Sequence, residues 1–515
     1  MRLSICRFWI DAPTHRQAIL DDVNVWSFLA DAATNWPDRV ALRHGQELSY
    51  ASTASRALDV AAHLRASGVQ PGDRVGCLMD NDVDHLLAYF GIAAAGGILV
   101  SLNTRLTAGE QRDILTHSGS KLLLHDQTHA TRAAEIGIAV STVADAKRTE
   151  FDATPAAHNQ PAQLYYTSGT TGSPKGVVLT HENVCTHALA AVSELNLNER
   201  DTWAHIAPMF HLADAWATFA ITAVGGCHVF LPQFTPPAAL DLLCDQRVTI
   251  TNLVPTMLNL MVKQPDAKDR GYSLRVMLSG GAPIAPDVVK RILTTFSCDY
   301  VQTYGMTETS PYLTLSLLPP ELLELPLEQQ LPWKCKTGRP FKGVELRVVN
   351  DDGSAIPADG TTVGEIRVRG KTVTPGYWRN DEATHAAFDC DGFLMTGDLA
   401  NIDSHGFVDI VDRKKDVIKT GGESVYSIEV EYVLYEHPAV LECAVFGRAD
   451  EQWGERVVAA VVVRDGEQVT SSELIAFCRE HIAGYKTPKQ VVFLAALPRT
   501  GSGKIQKRSL RDMPK

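Results

Sequence analysis

The residues best suited to chemistry in this chain lie in one short loop, YYTSGTTGSPKGVVLTH, which runs from Tyr165 to His181. Gly169 and Gly172 let the backbone approach a ligand closely, and Lys175 adds a positive charge. Hydroxyl groups that can bind phosphate oxygens come from Thr167, Ser168, Thr170 and Thr171. Such a loop is typical of a phosphate-binding site, although loops of this composition are also common as plain turns.

The spacing within the loop excludes the P-loop of nucleoside triphosphatases. That motif reads G-x-x-x-x-G-K-[ST]. Counted from Gly169, its second glycine falls on Pro174, and Lys175 is followed by Gly176 instead of a hydroxyl residue. The loop therefore predicts phosphate chemistry of a different kind.

Further segments with chemistry-bearing residues follow the loop along the chain. They are PMFH (Pro208–His211), SGGAP (Ser279–Pro283), YGMTE (Tyr304–Glu308), TGDLA (Thr396–Ala400), DRKKDVIKTGGE (Asp412–Glu423), WGE (Trp453–Glu455) and PRTGSGKIQK (Pro498–Lys507). Together with the loop they resemble, in type and order, the motifs of the adenylate-forming superfamily, which includes acyl-CoA synthetases, firefly luciferase and peptide-synthetase adenylation domains. The resemblance covers nearly the whole chain and is closest to the pattern of bacterial medium- and long-chain fatty acyl-CoA ligases.

The resemblance implies a two-step reaction that uses ATP, Mg²⁺ and CoA. A carboxylate attacks the α-phosphate of ATP to give an acyl-adenylate and pyrophosphate, and a thiol then displaces AMP. The first transition state concentrates negative charge on phosphorus oxygens, so cations and N–H donors are the groups that stabilise it. The positions that match the superfamily's ATP and AMP site are Thr167, Ser168, Gly169, Thr170, Thr171, Gly172, Lys175, Gly280, Gly281, Ala282, Pro283, Tyr304, Gly305, Met306, Asp398 and Arg413. By the same resemblance Tyr304 stacks on adenine, and Asp398 and Arg413 hold the ribose.

Four residues match the superfamily's catalytic positions. Lys504 resembles the lysine that bridges the acid and the α-phosphate, a task that suits an ammonium group among flexible glycines. Glu308 resembles the Mg²⁺-binding carboxylate, and Thr307 is expected at the α-phosphate. His211 resembles the histidine beside the acid's carboxylate, where amino-acid-activating domains carry an aspartate. His211 therefore favours a plain carboxylic acid, whereas the nearby Asp214 leaves an amine-bearing acid open.

The resemblance assigns the second step to the C-terminal region. Lys415 matches the superfamily's hinge, about which a small C-terminal domain rotates between the two steps. The positions that match the path of CoA are Lys419, Gly421, Gly422 and Trp453.

The identity of the acid depends on fewer signals. The acyl pocket is predicted around Phe210, Trp216, Gly225 and Gly305. Acetate-specific members carry a tryptophan where Gly305 stands, which implies a larger acid here, and Trp216 fits a tunnel floor and ordinary core packing equally well. The segment LSLLPPELLELPLEQQLPWKCKTGRP resembles the corresponding stretch of fatty acyl-CoA synthetases. We expect a medium- or long-chain fatty acid, with an aryl acid of the cinnamate or benzoate type, or the loading of a carrier protein, as alternatives.

The elements that must position these residues alternate between helices and strands. The segment GDRVGCLMDNDVDHLLAYFGIAAAGGILVSLN has the pattern strand, helix, Gly-Gly turn and strand, and helix, Gly-Gly and strand recur in WATFAITAVGGCHVFLP. Beyond residue 340 a period of two and Asp-Gly turns indicate antiparallel β structure. The predicted fold class is α/β, with two helix-covered sheets and a distorted β-barrel in a large N-terminal domain and a small mobile α+β C-terminal domain. Residues 1–412 are assigned to the AMP-binding domain and residues 413–515 to the C-terminal domain that carries Lys504.

Composition narrows the class of function and the partners. The 515 residues are 45% hydrophobic and 21% charged, with a formal net charge of −12, which is typical of a globular protein and argues against a nucleic-acid-binding surface. The ten cysteines form no CxxC pair, so no zinc site or disulfide framework is predicted, and a reducing cytoplasm is the expected location. No apolar run reaches the length of a transmembrane segment. The expected partners are the acid, ATP and CoA; transient contact with a membrane surface, for a lipid substrate, and a homodimer are further expectations.

Two rival classes share these motifs. A luciferase-like oxygenase uses the same adenylate, and light emission with a luciferin distinguishes it. A non-catalytic descendant is expected to lose Lys504, Glu308 or Asp398, and all three are present.

Overall fold

The computed structural model describes residues 23–154, 156–167, 174–282, 284–499 and 505–513. The chain divides into two compact units, the first formed by Met1–Leu346 and Val368–Leu394 and the second by Arg347–Arg367 and Met395–Lys515. In the described part of the chain, no helix is both long and apolar enough to cross a bilayer. The domain boundary expected at residue 413 stays a prediction.

The first unit contains two mixed sheets. Its strands are β1 (Val40–His44), β2 (Gln46–Ser49), β3 (Arg74–Leu78), β4 (Ile98–Ser101), β5 (Ser120–His125), β6 (Val140–Ser141), β7 (Pro161–Thr167), β8 (Lys175–Thr180), β9 (Thr202–His205), β10 (Cys227–Phe230), β11 (Ile250–Leu253), β12 (Val276–Gly280), β13 (Asp299–Gly305), β14 (Tyr312–Leu315) and β15 (Arg339–Pro340). Within the described residues, the larger sheet has the order β15-β14-β13-β12-β11-β9-β10-β1-β2 and the smaller has the order β6-β5-β3-β4-β7-β8. The interior pairs are parallel, and the antiparallel pairs lie toward the edges.

The helices of the first unit cover both faces of these sheets. They are α1 (Val25–Asn35), α2 (Tyr50–Ala66), α3 (Val83–Ala94), α4 (Ala108–Ser118), α5 (Ala130–Ile136), α6 (His181–Glu194), α7 (Leu212–Ala223), α8 (Pro236–Asp245), α9 (Pro255–Val262), α10 (Pro286–Phe296), α11 (Pro320–Leu323), α12 (Leu327–Lys334) and α13 (Asp381–Ala387). A 3₁₀ helix, Thr307–Thr309, carries two of the expected catalytic residues.

One shared layer of helices lies between the two sheets. The largest core cluster combines side chains of both sheets with those of α2, α3, α6 and α7. Helix α3 is buried all round except at Asp84, as its continuously apolar sequence requires. The outer face of the smaller sheet is covered by α4 and α5, and that of the larger sheet by α8, α9, α10 and α12. This arrangement confirms the two helix-covered sheets.

The second unit contains β structure of a different kind. One sheet, most of whose residues belong to this unit, has the order β16 (Val344–Val349), β17 (Gly364–Gly370), β18 (Leu394–Ile402) and β19 (Val408–Arg413). In the described residues β16 and β19 are the two edges of this sheet, which is therefore open, so no closed barrel is formed there.

The other sheet of the second unit belongs to an α+β region, as expected. It is built from β20 (Ile418–Thr420), β21 (Glu423–Val425), β22 (Val440–Asp450), β23 (Gly454–Val463) and β24 (Gln490–Phe493). The helices of this unit are α14 (Ser427–Glu436), α15 (Ser471–His481) and α16 (Lys507–Arg511).

Candidate active site

The predicted phosphate loop is carried by an antiparallel pair of strands. Thr167 ends β7 and Lys175 begins β8, and the two residues are partners in the ladder. The two arms of the loop therefore lie side by side at one edge of the smaller sheet. Seven predicted site residues lie outside the described residues: Ser168, Gly169, Thr170, Thr171, Gly172, Pro283 and Lys504.

Glu308 and Lys175 are brought together through Tyr377, a residue that the sequence motifs did not single out. The Tyr377 hydroxyl donates a hydrogen bond to Glu308 Oε1 at 3.0 Å. The ammonium nitrogen of Lys175 lies 5.1 Å from the centroid of the Tyr377 ring, within the range of a cation–π contact. Burial, together with the neighbouring Glu308 carboxylate, raises the pKa of Tyr377, so its phenol stays protonated and able to donate at neutral pH.

The residues expected around adenine lie at the carboxyl ends of two adjacent parallel strands. Gly280 at the end of β12 pairs with Thr303 in β13, just before Tyr304. Tyr304 is half-buried, and the Gln302 side-chain amide donates to the Ala282 carbonyl at 3.0 Å. Crevices outside the carboxyl ends of strands are the usual ligand sites of open α/β sheets. The structure thus places Gly280, Gly281 and Ala282 next to the segment that contains Tyr304, Met306 and Thr307.

Gly305 does not open a space for the acid. A Cβ atom at this position would lie 1.8 Å from the carbonyl oxygen of Pro311 and 3.0 Å from Cα of Tyr312. The chain turns back sharply here, because Gly305 pairs with Tyr312 across the β13–β14 ladder after a register shift. Glycine is therefore required by the close approach of two backbone segments. The inference of a large acid from the missing side chain of Gly305 is wrong.

His211 is the N-cap residue that precedes α7, and it lies in a loop that is fixed by a residue of the other sheet's layer. The His211 side chain is half-buried, with its ring centroid 4.6 Å from that of the buried Phe210. Asn81, which follows β3, donates to the Ala207 carbonyl at 2.9 Å and accepts from the Met209 N–H at 2.8 Å. Asn81 was also missed by the sequence motifs, and it shapes the loop that presents His211.

Asp214 is sealed in the core and is not available to a substrate. Its side chain is fully buried, and its two oxygens are engaged by Trp203 Nε1 at 3.2 Å and by His205 Nδ1 at 2.5 Å. The chain of hydrogen bonds continues from His205 to His228 at 3.0 Å and from His228 to Thr222 at 3.1 Å. Burial raises the pKa of Asp214 and lowers that of His228. Asp214 therefore cannot pair with the ammonium group of an amine-bearing acid.

Core packing accounts for two further positions assigned to the acyl pocket. Trp216 is 1% exposed and its ring meets that of Trp203 edge-on at 5.1 Å, so its place in a pocket stays a prediction. Gly225 follows the far end of α7, about 18 Å from His211 at the helix rise of about 1.5 Å per residue. A Cβ atom at Gly225 would lie 2.6 Å from the Trp36 ring. The space beside Gly225 is therefore filled by Trp36, and the assignment of Gly225 to the pocket is wrong.

The second unit brings together the residues expected at the ribose. Asp398 and Arg413 are partners across β18 and β19, and Arg413 Nε lies 3.4 Å from Asp398 Oδ1. The Asp398 side chain is mostly buried, whereas that of Arg413 is about half-exposed. Lys415 is exposed in the turn after β19, which is closed by a hydrogen bond from the Asp416 N–H to the Arg413 carbonyl at 2.8 Å.

The residues expected near CoA form one exposed surface of the second unit. The Gly421 N–H donates to the Trp453 carbonyl at 2.8 Å, and the Trp453 side chain is 51% exposed. Gly421 has φ +59°, and a Cβ atom there would lie 2.9 Å from the Trp453 ring. Gly422 follows in the same turn, and the Lys419 ammonium donates to the Ser424 hydroxyl at 2.7 Å.

Two family models match the chain. The first is described as AMP-binding enzyme and matches residues 29–378. The second is described as AMP-binding enzyme C-terminal domain and matches residues 429–504. The boundary expected at residue 413 lies between these two ranges.

The chain is similar to characterised ligases over almost its whole length. It is 36% identical to a long-chain-fatty-acid–CoA ligase of Thermus thermophilus over an alignment 527 positions long, gaps included, which covers 96% of each chain. It is 37% identical to a feruloyl-CoA synthase of an Amycolatopsis species, with 92% of this chain and 96% of the relative covered. Among solved structures, the o-succinylbenzoate CoA synthetase of Bacillus subtilis in complex with ATP and magnesium aligns with a TM-score of 0.83 at 31% identity, covering 94% of this chain and 98% of that one.

Proposed function

We propose that this chain, which belongs to the family of AMP-binding enzymes, activates a medium- or long-chain fatty acid. The chain is an AMP-forming acyl-CoA ligase, and ATP, Mg²⁺ and CoA take part in its reaction. The observation that carries the finer proposal is the similarity to a long-chain-fatty-acid–CoA ligase, which extends over 96% of both chains.

The first half-reaction uses the phosphate side of the site. The residues present fit Mg²⁺, because the Glu308 carboxylate is a hard oxygen ligand of the kind this ion prefers and only its Oε1 is engaged by Tyr377 among the contacts described above. Thr307 contacts the α-phosphate. When bound, the ion neutralises charge on the phosphate oxygens. Lys175 binds the β- and γ-phosphates, and Lys504 stabilises the charge that develops as the acid attacks the α-phosphate. His211 faces the carboxylate of the acid.

The remaining predicted residues serve the nucleotide sugar and the thiol. Asp398 accepts the ribose hydroxyls, which a carboxylate can bind in pairs, and Arg413 orients Asp398 through the contact described above. Lys415 is the hinge between the two half-reactions. Lys419, Gly421, Gly422 and Trp453 line the approach of CoA.

An aryl acid is the second candidate substrate. The relative that favours it is the feruloyl-CoA synthase, at 37% identity. Because the missing side chain of Gly305 faces backbone and not a pocket, it favours neither a fatty nor an aromatic acid.

A substrate series tests the proposal. The full-length protein is incubated with ATP, Mg²⁺, CoA and either a saturated acid, from butyrate to stearate, or ferulate, cinnamate or benzoate, and AMP and pyrophosphate are quantified. We expect the largest kcat/KM for a medium- or long-chain fatty acid. A kcat/KM for ferulate or cinnamate above that of every fatty acid would replace the first candidate with the second.

Three expectations about the surroundings of the enzyme stay predictions. They are a cytoplasmic location, a homodimer and transient contact with a membrane surface.

A further inference from the structure

Three segments that are distant in sequence meet around Tyr377. The bond from the Trp378 N–H to the Gly176 carbonyl (2.7 Å) and that from the Val178 N–H to the Gly376 carbonyl (3.1 Å) join the Tyr377 segment to β8, directly after Lys175. The Thr374 N–H donates to the Glu308 carbonyl at 2.7 Å, which joins the same segment to the 3₁₀ helix. The backbone thus fixes Tyr377 relative to both the phosphate-loop arm and the Glu308 turn.

The Tyr377 side chain contacts both charged groups at once. Its hydroxyl is bonded to Glu308 Oε1 at 3.0 Å, while its ring lies under the Lys175 ammonium at 5.1 Å. Glu308 is 7% exposed, so its carboxylate has lost most of its water and depends on such a donor for its orientation. One aromatic side chain therefore sets the orientation of an anion and the location of a cation.

We propose that Tyr377 is a positioning residue that holds the Glu308 carboxylate in the orientation in which it binds Mg²⁺ and at the same time places Lys175 beside the phosphates. The inference rests on the roles proposed above for Glu308 and Lys175. The Tyr377 hydroxyl acts on Glu308 and the Tyr377 ring acts on Lys175, so the two contributions can be separated by substitution.

The test measures ATP binding by titration calorimetry on the full-length protein, without acid and CoA, in the presence and absence of Mg²⁺. Tyr377→Phe removes the hydroxyl and keeps the ring. We expect the Mg²⁺-dependent gain in ATP affinity to fall by about tenfold, which corresponds to the loss of one hydrogen bond to a charged group. ATP affinity without Mg²⁺ should stay within about twofold, because the ring still faces Lys175.

A second variant isolates the ring. Tyr377→Leu removes both groups, and we expect it to weaken Mg²⁺-free ATP binding as well, by about threefold or more. The matched control is Tyr272→Phe, which removes a hydroxyl that donates to the Ala267 carbonyl at 2.7 Å in another part of the first unit. This control should leave both ATP affinities unchanged.

Glu308→Gln distinguishes failure of the inference from failure of the proposed function. If Glu308→Gln abolishes the Mg²⁺-dependent gain but Tyr377→Phe leaves it intact, Tyr377 does not position Glu308 and the inference is overturned. If Glu308→Gln also leaves the gain intact, the metal role proposed for Glu308 is wrong. In the Glu308→Gln background the added Tyr377→Phe change should cost nothing further, and melting temperatures of all variants report whether they fold.

Discussion

The surroundings of Glu308 in the first unit and those of Trp453 in the second unit are built in opposite ways. On the phosphate side Glu308 is 7% exposed and is held by Tyr377, which lies 69 residues away in sequence. Around Trp453 the side chain is 51% exposed, and the turn that contains Gly421 lies at the tip of the β20–β21 hairpin, with a backbone hydrogen bond from Gly421 to Trp453. Groups that stabilise charge on phosphorus must be oriented before the reaction, because their reorganisation would add to the barrier. A thiol that arrives on a long flexible arm requires an accessible surface instead. The difference fits the roles proposed above, orientation of charged groups around Glu308 and access for a thiol around Trp453.

The largest effect is expected at Lys504. Lys504→Ala should slow adenylate formation by about 3–5 kcal/mol of transition-state stabilisation, while a supplied acyl-adenylate is still converted to the thioester. ATP–pyrophosphate exchange measures the first half-reaction, and thioester formation measures the second. Lys489→Ala, which removes an exposed lysine of the same unit, is the control and should leave both rates unchanged. Equal losses in both half-reactions would contradict the role of Lys504.

A smaller effect, without selectivity between acids, is expected at Gly305. Gly305→Ala forces a Cβ atom against the Pro311 carbonyl, at 1.8 Å before any shift, and should cost about 1–3 kcal/mol in activity or stability. The kcat/KM of a chain-length series should fall by the same factor for every acid. Gly109→Ala, where the nearest atom to a new Cβ is 3.9 Å away, is the control. A selective loss of long acids would return Gly305 to the acyl pocket.

The smallest effect is expected at Trp453. Because this side chain is half-exposed, Trp453→Ala should leave the melting temperature nearly unchanged and raise the KM for CoA by about fivefold, on the scale of one aromatic contact. ATP–pyrophosphate exchange should stay at the level of the unmodified protein. An unchanged KM for CoA would show that the exposed surface around Gly421 and Trp453 does not meet the thiol substrate.

The sequence predicts local turns and elements well, but it predicts less well which residues of separate segments contact each other. The repeated helix, Gly-Gly and strand pattern is confirmed: the first glycines of the two pairs, Gly96 and Gly225, have φ +74° and +73°, so each makes the same left-handed turn. Such turns are determined by neighbouring residues and are therefore visible in a single sequence.

The errors and omissions concern contacts between separate segments, whether the second segment lies six residues away, as at Gly305, or 69 residues away, as at Tyr377. The sequence favours an open space at Gly305, because it does not show that the Pro311 carbonyl returns against this residue. Asn81 and Tyr377 are single polar residues in short segments, NDVD and TPGYW, with no spacing that marks a function. Their importance arises only when the loop of Met209 and the turn of Glu308 fold against them.

The buried chain of hydrogen bonds that runs from Asp214 through His205 and His228 to Thr222 limits how this enzyme can change its substrate during evolution. By the resemblance given above, amino-acid-activating domains carry an aspartate at the position of His211, and this chain has a carboxylate three residues further on. Its two oxygens are bonded by Trp203 and His205, and His228 continues the buried hydrogen bonds, so this carboxylate is committed to the core. Single replacements would leave an unpaired polar group in the core, which is strongly unfavourable. A direct substitution at His211 is therefore the shorter mutational path to an amine-bearing substrate.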